Sequence, residues 1–400
     1  VGRLLTFLGL NRNMASMLIM VILVGMGEKM AERFLPLYLL ALGGSVYAVG
    51  FLNAMDNLLS ALYSLPGGWL SDRWGPKRSL IFFTVLAMGG YLVVILVPTW
   101  QAVLLGAVFF ICWTAVSLPA IMGLVSAAVP KNKRVMGVSM HSLVRRIPMA
   151  LGPLVGGVLI GWLGVRGGVR AGFLAAFLLG GAALLLLGRF LSDRREEGVR
   201  AGGLTSGFAN LRGNLRNLLV SDILIRFAEQ IPYAFVVVWA VERRGLTAAQ
   251  FGVLTAIEMV TAMLVYIPVA AMADRYGKKP FILMTFVFFT AFPASLLFCR
   301  SFASFALAFV LRGLKEFGEP TRKALIMDLA PEGEKAATFG AYYLARDVVV
   351  AGAALSSAVL WNLSPQTNFL AATTCGVVGT IWFALFGKDV TISSERRRSP

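Results

Sequence analysis

Ionisable side chains stand inside long apolar stretches of this chain, at helical spacing. The stretch GEKMAERFLPLYLL puts Glu28 and Glu32 four residues apart on one helix face, with Lys29 and Arg33 on the neighbouring face. DILIRFAEQIPYAF carries Arg226, Glu229 and Gln230 ahead of Pro232. LRGLKEFGEPTRKALIMDLAP sets Arg312 four residues before Glu316 and Lys315 four before Glu319, which predicts pairing along one helix. Arg322 and Lys323 stand nearer the end of that stretch, where snorkelling to the interface explains them. Asp56, Arg145, Arg146, Glu258, Arg346 and Asp347 also interrupt apolar runs. Charges buried in this way cost energy and mark paths for protons, ions or charged substrates. A carboxylate that alternates between a cation and a proton can carry that proton. Glu28, Glu32 and Asp56 are the first candidates, followed by Glu229, Glu258 and Glu316, with Arg226, Arg312 and Lys315 as their counter-charges.

Other chemistry finds no footing. His141 is the sole histidine, and Cys112, Cys299 and Cys375 lie far apart without metal or redox spacing, so no metal site is expected. No Ser/His/Asp constellation and no phosphate-cradling glycine loop of the Walker type occurs. The expectation is therefore a protein that is not an enzyme, uses no cofactor and draws on an ion gradient rather than ATP. The formal net charge is +17, but its basic residues are spread over short loops and apolar segments, which argues against a nucleic-acid partner.

The elements that position these groups follow from composition. Hydrophobic residues make up 58% and charged residues 14%, against roughly a quarter charged in a soluble domain. The mean hydropathy is +0.77. Twelve apolar spans can be drawn, from 14–40 to 369–386, mostly of a length that crosses a ~30 Å hydrocarbon core as helix. The alternating ten-residue pattern of a membrane barrel is absent. The fold class is thus all-α, integral to the membrane, with membrane lipids as its surroundings. The polar, glycine-rich segment 192–218 separates a six-helix bundle over 1–191 from another over 219–400, which ends in a short tail. Arg166, Arg170, Arg243, Arg244 and Arg300 are the basic residues of one set of loops, and the other set holds many more. The positive-inside rule therefore puts both termini in the cytoplasm of a multi-pass protein of the cell (inner) membrane.

The two halves repeat. Gly50, Asp56 and Pro66 fall 202 residues before Gly252, Glu258 and Pro268. GGWLSDRWGPKRSL returns as AAMADRYGKKPFIL, with Asp72, Arg73, Gly75 and Lys77 answered by Asp274, Arg275, Gly277 and Lys279. This loop resembles the signature G-x-L-x-D-R-x-G-x-K/R-K/R of the major facilitator superfamily, drug/proton antiporter branch. The first copy supplies Gly68, Leu70, Asp72, Arg73, Gly75, Lys77 and Arg78; the second has Ala270 in place of the first glycine. Parallel repeats of this kind place a substrate at their interface.

The resemblance implies more. Asp72 is expected to latch the cytoplasmic side against span 11, with Asp274 as its second copy. Spans 1, 4, 7 and 10 are expected to line a central cavity, with Phe110 and Trp113 of the uncharged span 4 forming an aromatic wall. Spans 2 and 11, and spans 5 and 8, are expected to be neighbours, which pairs Asp56 with Arg346 and Glu258 with Arg145 or Arg146; Asp347 is the local rival for Arg346. Gly152, Pro153, Gly156 and Gly157 partly match an antiporter motif, with Pro148 replacing its first glycine. The function implied is proton-coupled efflux of an amphipathic organic compound or drug by alternating access in a monomer. Proton-coupled uptake of an organic anion, or translocation of a lipid or lysolipid, is the alternative.

Overall fold

In a computed structural model, residues 12–111, 113, 134–190, 204–331 and 335–388 are described. The side chains of Gly68, Asp72, Asp274, Arg275 and His141, the residue Cys112 and the rest of span 4 lie outside the described residues, so the expected latch does too.

Every element among the described residues is helical: α1 Arg12–Glu32, α2 Leu35–Ala41, α3 Val46–Trp74, α4 Pro76–Leu96, α5 Trp100–Ile111 and α6 Arg134–Phe190, then α7 Leu204–Ala209 and α8 Gly213–Tyr233. There follow α9 Phe235–Val238 with a π-turn Trp239–Arg243, α10 Ala248–Tyr276, α11 Lys279–Leu296 and α12 Phe302–Leu314. A 3₁₀ turn Lys315–Gly318 leads into α13 Glu319–Leu329, then α14 Lys335–Leu363 and α15 Pro365–Phe386. The 57 residues of α6 would be about 85 Å long as one helix, far more than one crossing needs. Gly164, at φ 70° and ψ 172°, divides it. Among the described residues six helices are long and apolar enough to cross a membrane, and a seventh if α8 and its continuation, bent by 40°, count as one. The other expected spans are interrupted, charged or partly outside the described residues. Leu96, Leu264, Leu307 and Leu385 are largely exposed, as a lipid-facing surface requires.

The chain divides into two compact units, Val1–Val199 with Val237–Ala256, and Arg200–Val236 with Ile257–Pro400. The end of span 7 and the start of span 8 thus pack with the first unit. In the first unit, small residues bring α1 and α6 into backbone contact: a Cβ on Gly27 would strike Ala176, and one on Gly156 would strike the Met30 carbonyl. Tyr91, Phe110 and Phe173 stack at 5.5–5.8 Å in its core. In the second, Leu218, Ile225, Phe286, Tyr342 and Phe383 form one apolar cluster.

The repeat is visible in backbone geometry. α3 and α10 are both 29 residues long and start 202 residues apart, at Val46 and Ala248. Gly43 and Gly245 have φ of 83° and 72°, and Gly75 and Gly277 have φ of 86° and 92°, a region that side chains with a Cβ avoid. The loop lysines also match. Lys77 donates to the Gly188 carbonyl at the end of α6 (3.1 Å), and Lys279 donates to the Ala384 carbonyl at the end of α15 (2.9 Å). Each amine meets the negative end of the last helix of its half. Arg166 and Arg170 cap the ends of α2 and α4 through the carbonyls of Ala41 and Ile95. Both stand within α6 just past its break at Gly164, where the sequence suggested a loop, and their charges serve the ends of other helices.

Candidate functional site

The second unit holds a chain of buried charges. On α8, Asp222, Arg226 and Glu229 recur at i, i+4 and i+7, which sets them on one face. Across from it, Arg312, Lys315, Glu319 and Arg322 advance by three, four and three residues down one face of the broken span 10. The break has local causes. Gly318 N–H leaves the helical ladder for Thr285 Oγ1 at 2.5 Å, and a Cβ there would strike the Phe281 carbonyl. Pro320 then starts α13 at a position where its missing N–H costs nothing. The glycine lets span 10 press on α11.

The partners alternate in sign. Asp347 pairs with Arg346 at 2.7 Å, and Arg346 reaches Asp222 at 3.5 Å. Asp222 also accepts from Arg322 and, at 3.1 Å, from Tyr342 Oη. Arg322 holds Glu319 at 2.7 Å, and Glu319 lies 3.4 Å from Arg226. Arg226 donates to Glu229 at 2.6 Å, Lys315 to Glu229 at 2.5 Å, and Lys315 stands 3.7 Å from Glu258. Glu258 also meets Arg312 at 3.2 Å. Five acids and five bases thus form one neutral line over four helices, α8, α10, span 10 and α14. Asp222, Glu258 and Arg322 are each 1% exposed. Desolvation of so many charges is tolerated only because each meets an opposite one in a low-dielectric interior.

At the Glu258 end the charges border an aromatic pocket lined by Glu229, Tyr233, Phe289, Phe292, Arg312 and Lys315. The Arg312 guanidinium carbon lies 5.0 Å from the centre of the Phe292 ring and 5.6 Å from that of Tyr233; Lys315 lies 5.5 Å from Phe289. Cations over ring faces gain from the ring quadrupole. Two residues on from Glu229, Ser357 and Asn368 donate to the Ile231 carbonyl beside Pro232, where α8 bends.

Several expected pairings change. Arg312 meets Glu258, and Lys315 meets Glu229 and Glu258, in place of Glu316 and Glu319 on their own helix. The 3₁₀ step between them breaks the four-residue register, and neighbouring helices bring carboxylates closer. Glu316 lies within that turn. The expected pair of Glu258 with Arg145 or Arg146 would join the two units and is not among those that change; inside its own unit Glu258 has Arg312 and Lys315, and the two arginines stand half-buried on α6. The expected pair of Arg346 with Asp56 would likewise join the two units; inside its own unit Arg346 has the local rival Asp347 and also Asp222 as partners. Arg322 is no snorkelling residue but a centre of the chain. Asp222 and Tyr342 were not foreseen at all. The seven-residue recurrence of acid, base and acid along α8 was the available signal.

The first unit has charges of its own. Lys29 donates to Glu28 at 3.1 Å and to Glu32, all on α1. Asp56 is half-buried and accepts from Ser60 at 3.5 Å. Phe110 and Trp113 are not an open wall: both are 5% exposed, Phe110 in the aromatic core and Trp113 donating to Thr84 at 3.0 Å. The glycines of the Gly152–Gly157 stretch lie against two other helices. A Cβ on Gly152 would strike Lys29, one on Gly157 would strike Ala248 of α10, and one on Gly252 of α10 would strike the Pro153 carbonyl. Arg73 and Arg78 are exposed, and Gly75 and Gly277 make the turns described above. Among the described residues no three His, Cys, Asp or Glu side chains gather as a metal site.

The sequence profile of the Major Facilitator Superfamily matches residues 17–239 and 218–399, almost the whole chain. The chain belongs to that superfamily. It is a multi-pass membrane protein and a secondary transporter. A multi-drug resistance efflux pump PmrA homolog of Lactococcus lactis is 24% identical over 388 residues, 90% of this chain and 91% of that protein. An uncharacterized MFS-type transporter of Methanocaldococcus jannaschii is 19% identical over 366 residues, 88% and 89% of the two chains. The crystal structure of the nucleoside transporter NupG superposes with a TM-score of 0.79 at 13% identity, over 94% of this chain and all of the other. A POT family transporter in complex with a thioalcohol-conjugated peptide gives 0.76 at 15% identity, covering 94% and 96%. These likenesses establish the superfamily fold and leave the cargo to the site itself.

Proposed function

We propose that this superfamily member exports an amphipathic organic compound in exchange for protons, by alternating access. The observation that carries the reading is the alternating line of buried charges. Protonating a carboxylate in such a line frees its cation to move to another partner or to a substrate. Lys315 is the clearest case, held at 2.5 Å by Glu229 and 3.7 Å from Glu258. Glu229 and Glu258 are therefore the leading proton carriers, with Glu28, Glu32 and Asp56 as a second set in the first unit. The close packing of Gly156 and Gly157 supports the antiporter branch, since helices in backbone contact leave little room for ion leak. The low-identity relation to an efflux pump homolog points the same way. In this reading the protein works as a monomer in the cell membrane, with both termini cytoplasmic and no cofactor.

Everted vesicles with an acid interior test it. A pH-sensitive dye should dequench on adding an amphipathic compound, and the response should fall at least tenfold in Glu229→Gln and Glu258→Gln. An undiminished response in both variants, and in Asp56→Asn, refutes the assignment of proton carriers. Proton-coupled uptake of an organic anion is a second reading, favoured by Arg312 in the pocket wall. Accumulation inside right-side-out vesicles with an acid exterior would select it.

A further inference from the structure

We propose that Arg312 is the receptor for an anionic group on the substrate, so that the transported compound is an organic acid or a zwitterion with an aromatic or apolar body. This rests on the transporter reading but not on its direction.

Arg312 is 3% exposed and lines the pocket. Among the described residues, none of its N–H groups makes a hydrogen bond. Its Nε lies 3.2 Å from Glu258 Oε1 as an ion pair only. The rest of its surroundings are ring faces: Phe292, Phe309 and Tyr233 stand 5.0–5.6 Å from the guanidinium carbon. A guanidinium offers five donors in a planar fork that fits a carboxylate in two-pronged fashion. The ion pair to Glu258 engages the fork through Nε, and its terminal nitrogens can take a further acceptor. The carboxylate in the same wall is already engaged. Glu229 takes Lys315 at 2.5 Å and Arg226 at 2.6 Å, so a cationic substrate would have to displace two partners there. The open donors belong to the base, and the rings around it suit an apolar body attached to the acid. The pocket has room for about one water molecule, so an organic body enters only when the rings part.

A matched series of probes decides the point on the purified full-length chain in detergent: 2-naphthoate, 2-naphthamide and 2-naphthylmethylammonium, with binding measured by equilibrium dialysis. Naphthoate should bind at least tenfold tighter than the amide, and the ammonium no tighter than the amide. Arg312→Gln should bring naphthoate to the level of the amide, and Arg312→Lys should restore part of the difference. Because Arg312→Gln leaves Glu258 with one partner fewer and could unfold, the double variant Arg312→Gln with Glu258→Gln is measured too. It removes both charges together and should show the same loss of preference. Tighter binding of the ammonium, naphthoate binding unchanged in the double variant, or no binding by any of the three overturns the proposal. The readouts separate it from the transport reading. Proton release by a lipophilic cation that survives Arg312→Gln sinks the anion receptor and leaves antiport standing. Naphthoate binding without any proton-coupled response does the reverse.

Discussion

The two halves of this transporter agree in backbone and differ in charge. Both turn on a left-handed glycine at the same point of the loop after their second span, Gly75 and Gly277, and both follow a helix of 29 residues. In the first unit Lys29 stands between Glu28 and Glu32 on one helix and Asp56 accepts from Ser60. In the second unit the charges run through four helices without a gap in the alternation of sign. Duplicated architecture fixes where helices start, bend and end. It does not fix which side chains face inward, and the coupling chemistry has room to concentrate on one side.

Asp222 should reveal the difference most strongly. Asp222→Asn leaves Arg322 and Arg346 buried with less compensation and should lower stability by about 3–5 kcal/mol, read from unfolding in detergent. Glu32→Gln, on a side chain that is 28% exposed and whose partner Lys29 keeps Glu28, should cost about 1 kcal/mol or less. Equal losses would mean that the line of charges is no more cooperative than an isolated pair. Next in size, Gly156→Val should force α1 and α6 apart at the Met30 carbonyl, cost about 1–3 kcal/mol and raise proton leak in vesicles. Stability and leak that both stay unchanged would remove the sealing role of this contact. Smallest, Gly75→Ala and Gly277→Ala should each cost about 1–2 kcal/mol, because a Cβ opposes their positive φ. The two values should agree closely. A large inequality would show that the loops differ in strain despite their matching angles.

The repeat, the helical class and the existence of charges on spans 1, 7, 8, 10 and 11 could be read from the sequence, because hydropathy, turn glycines and recurring motifs are local signals. Partner choice could not. Four-residue spacing suggested Arg312 with Glu316 and Lys315 with Glu319, but the 3₁₀ turn Lys315–Gly318 shifts that register, and Glu229 and Glu258 arrive from other helices. Arg322 looked like an interfacial charge because its depth along the sequence said nothing of Asp222 opposite it. Phe110 and Trp113 looked like a cavity wall because aromatic spacing is the same for a lining and for a core.

The glycines shared by the two halves have an evolutionary corollary. A half-length ancestor could span the membrane as a symmetric pair, and symmetry would then oblige every side chain to appear twice. A line of ten charges described in one half alone is out of reach for such a pair. Fusion of two copies into one gene lifts that obligation. The matching turns at Gly75 and Gly277 satisfy that symmetry, and the charges around Asp222 do not.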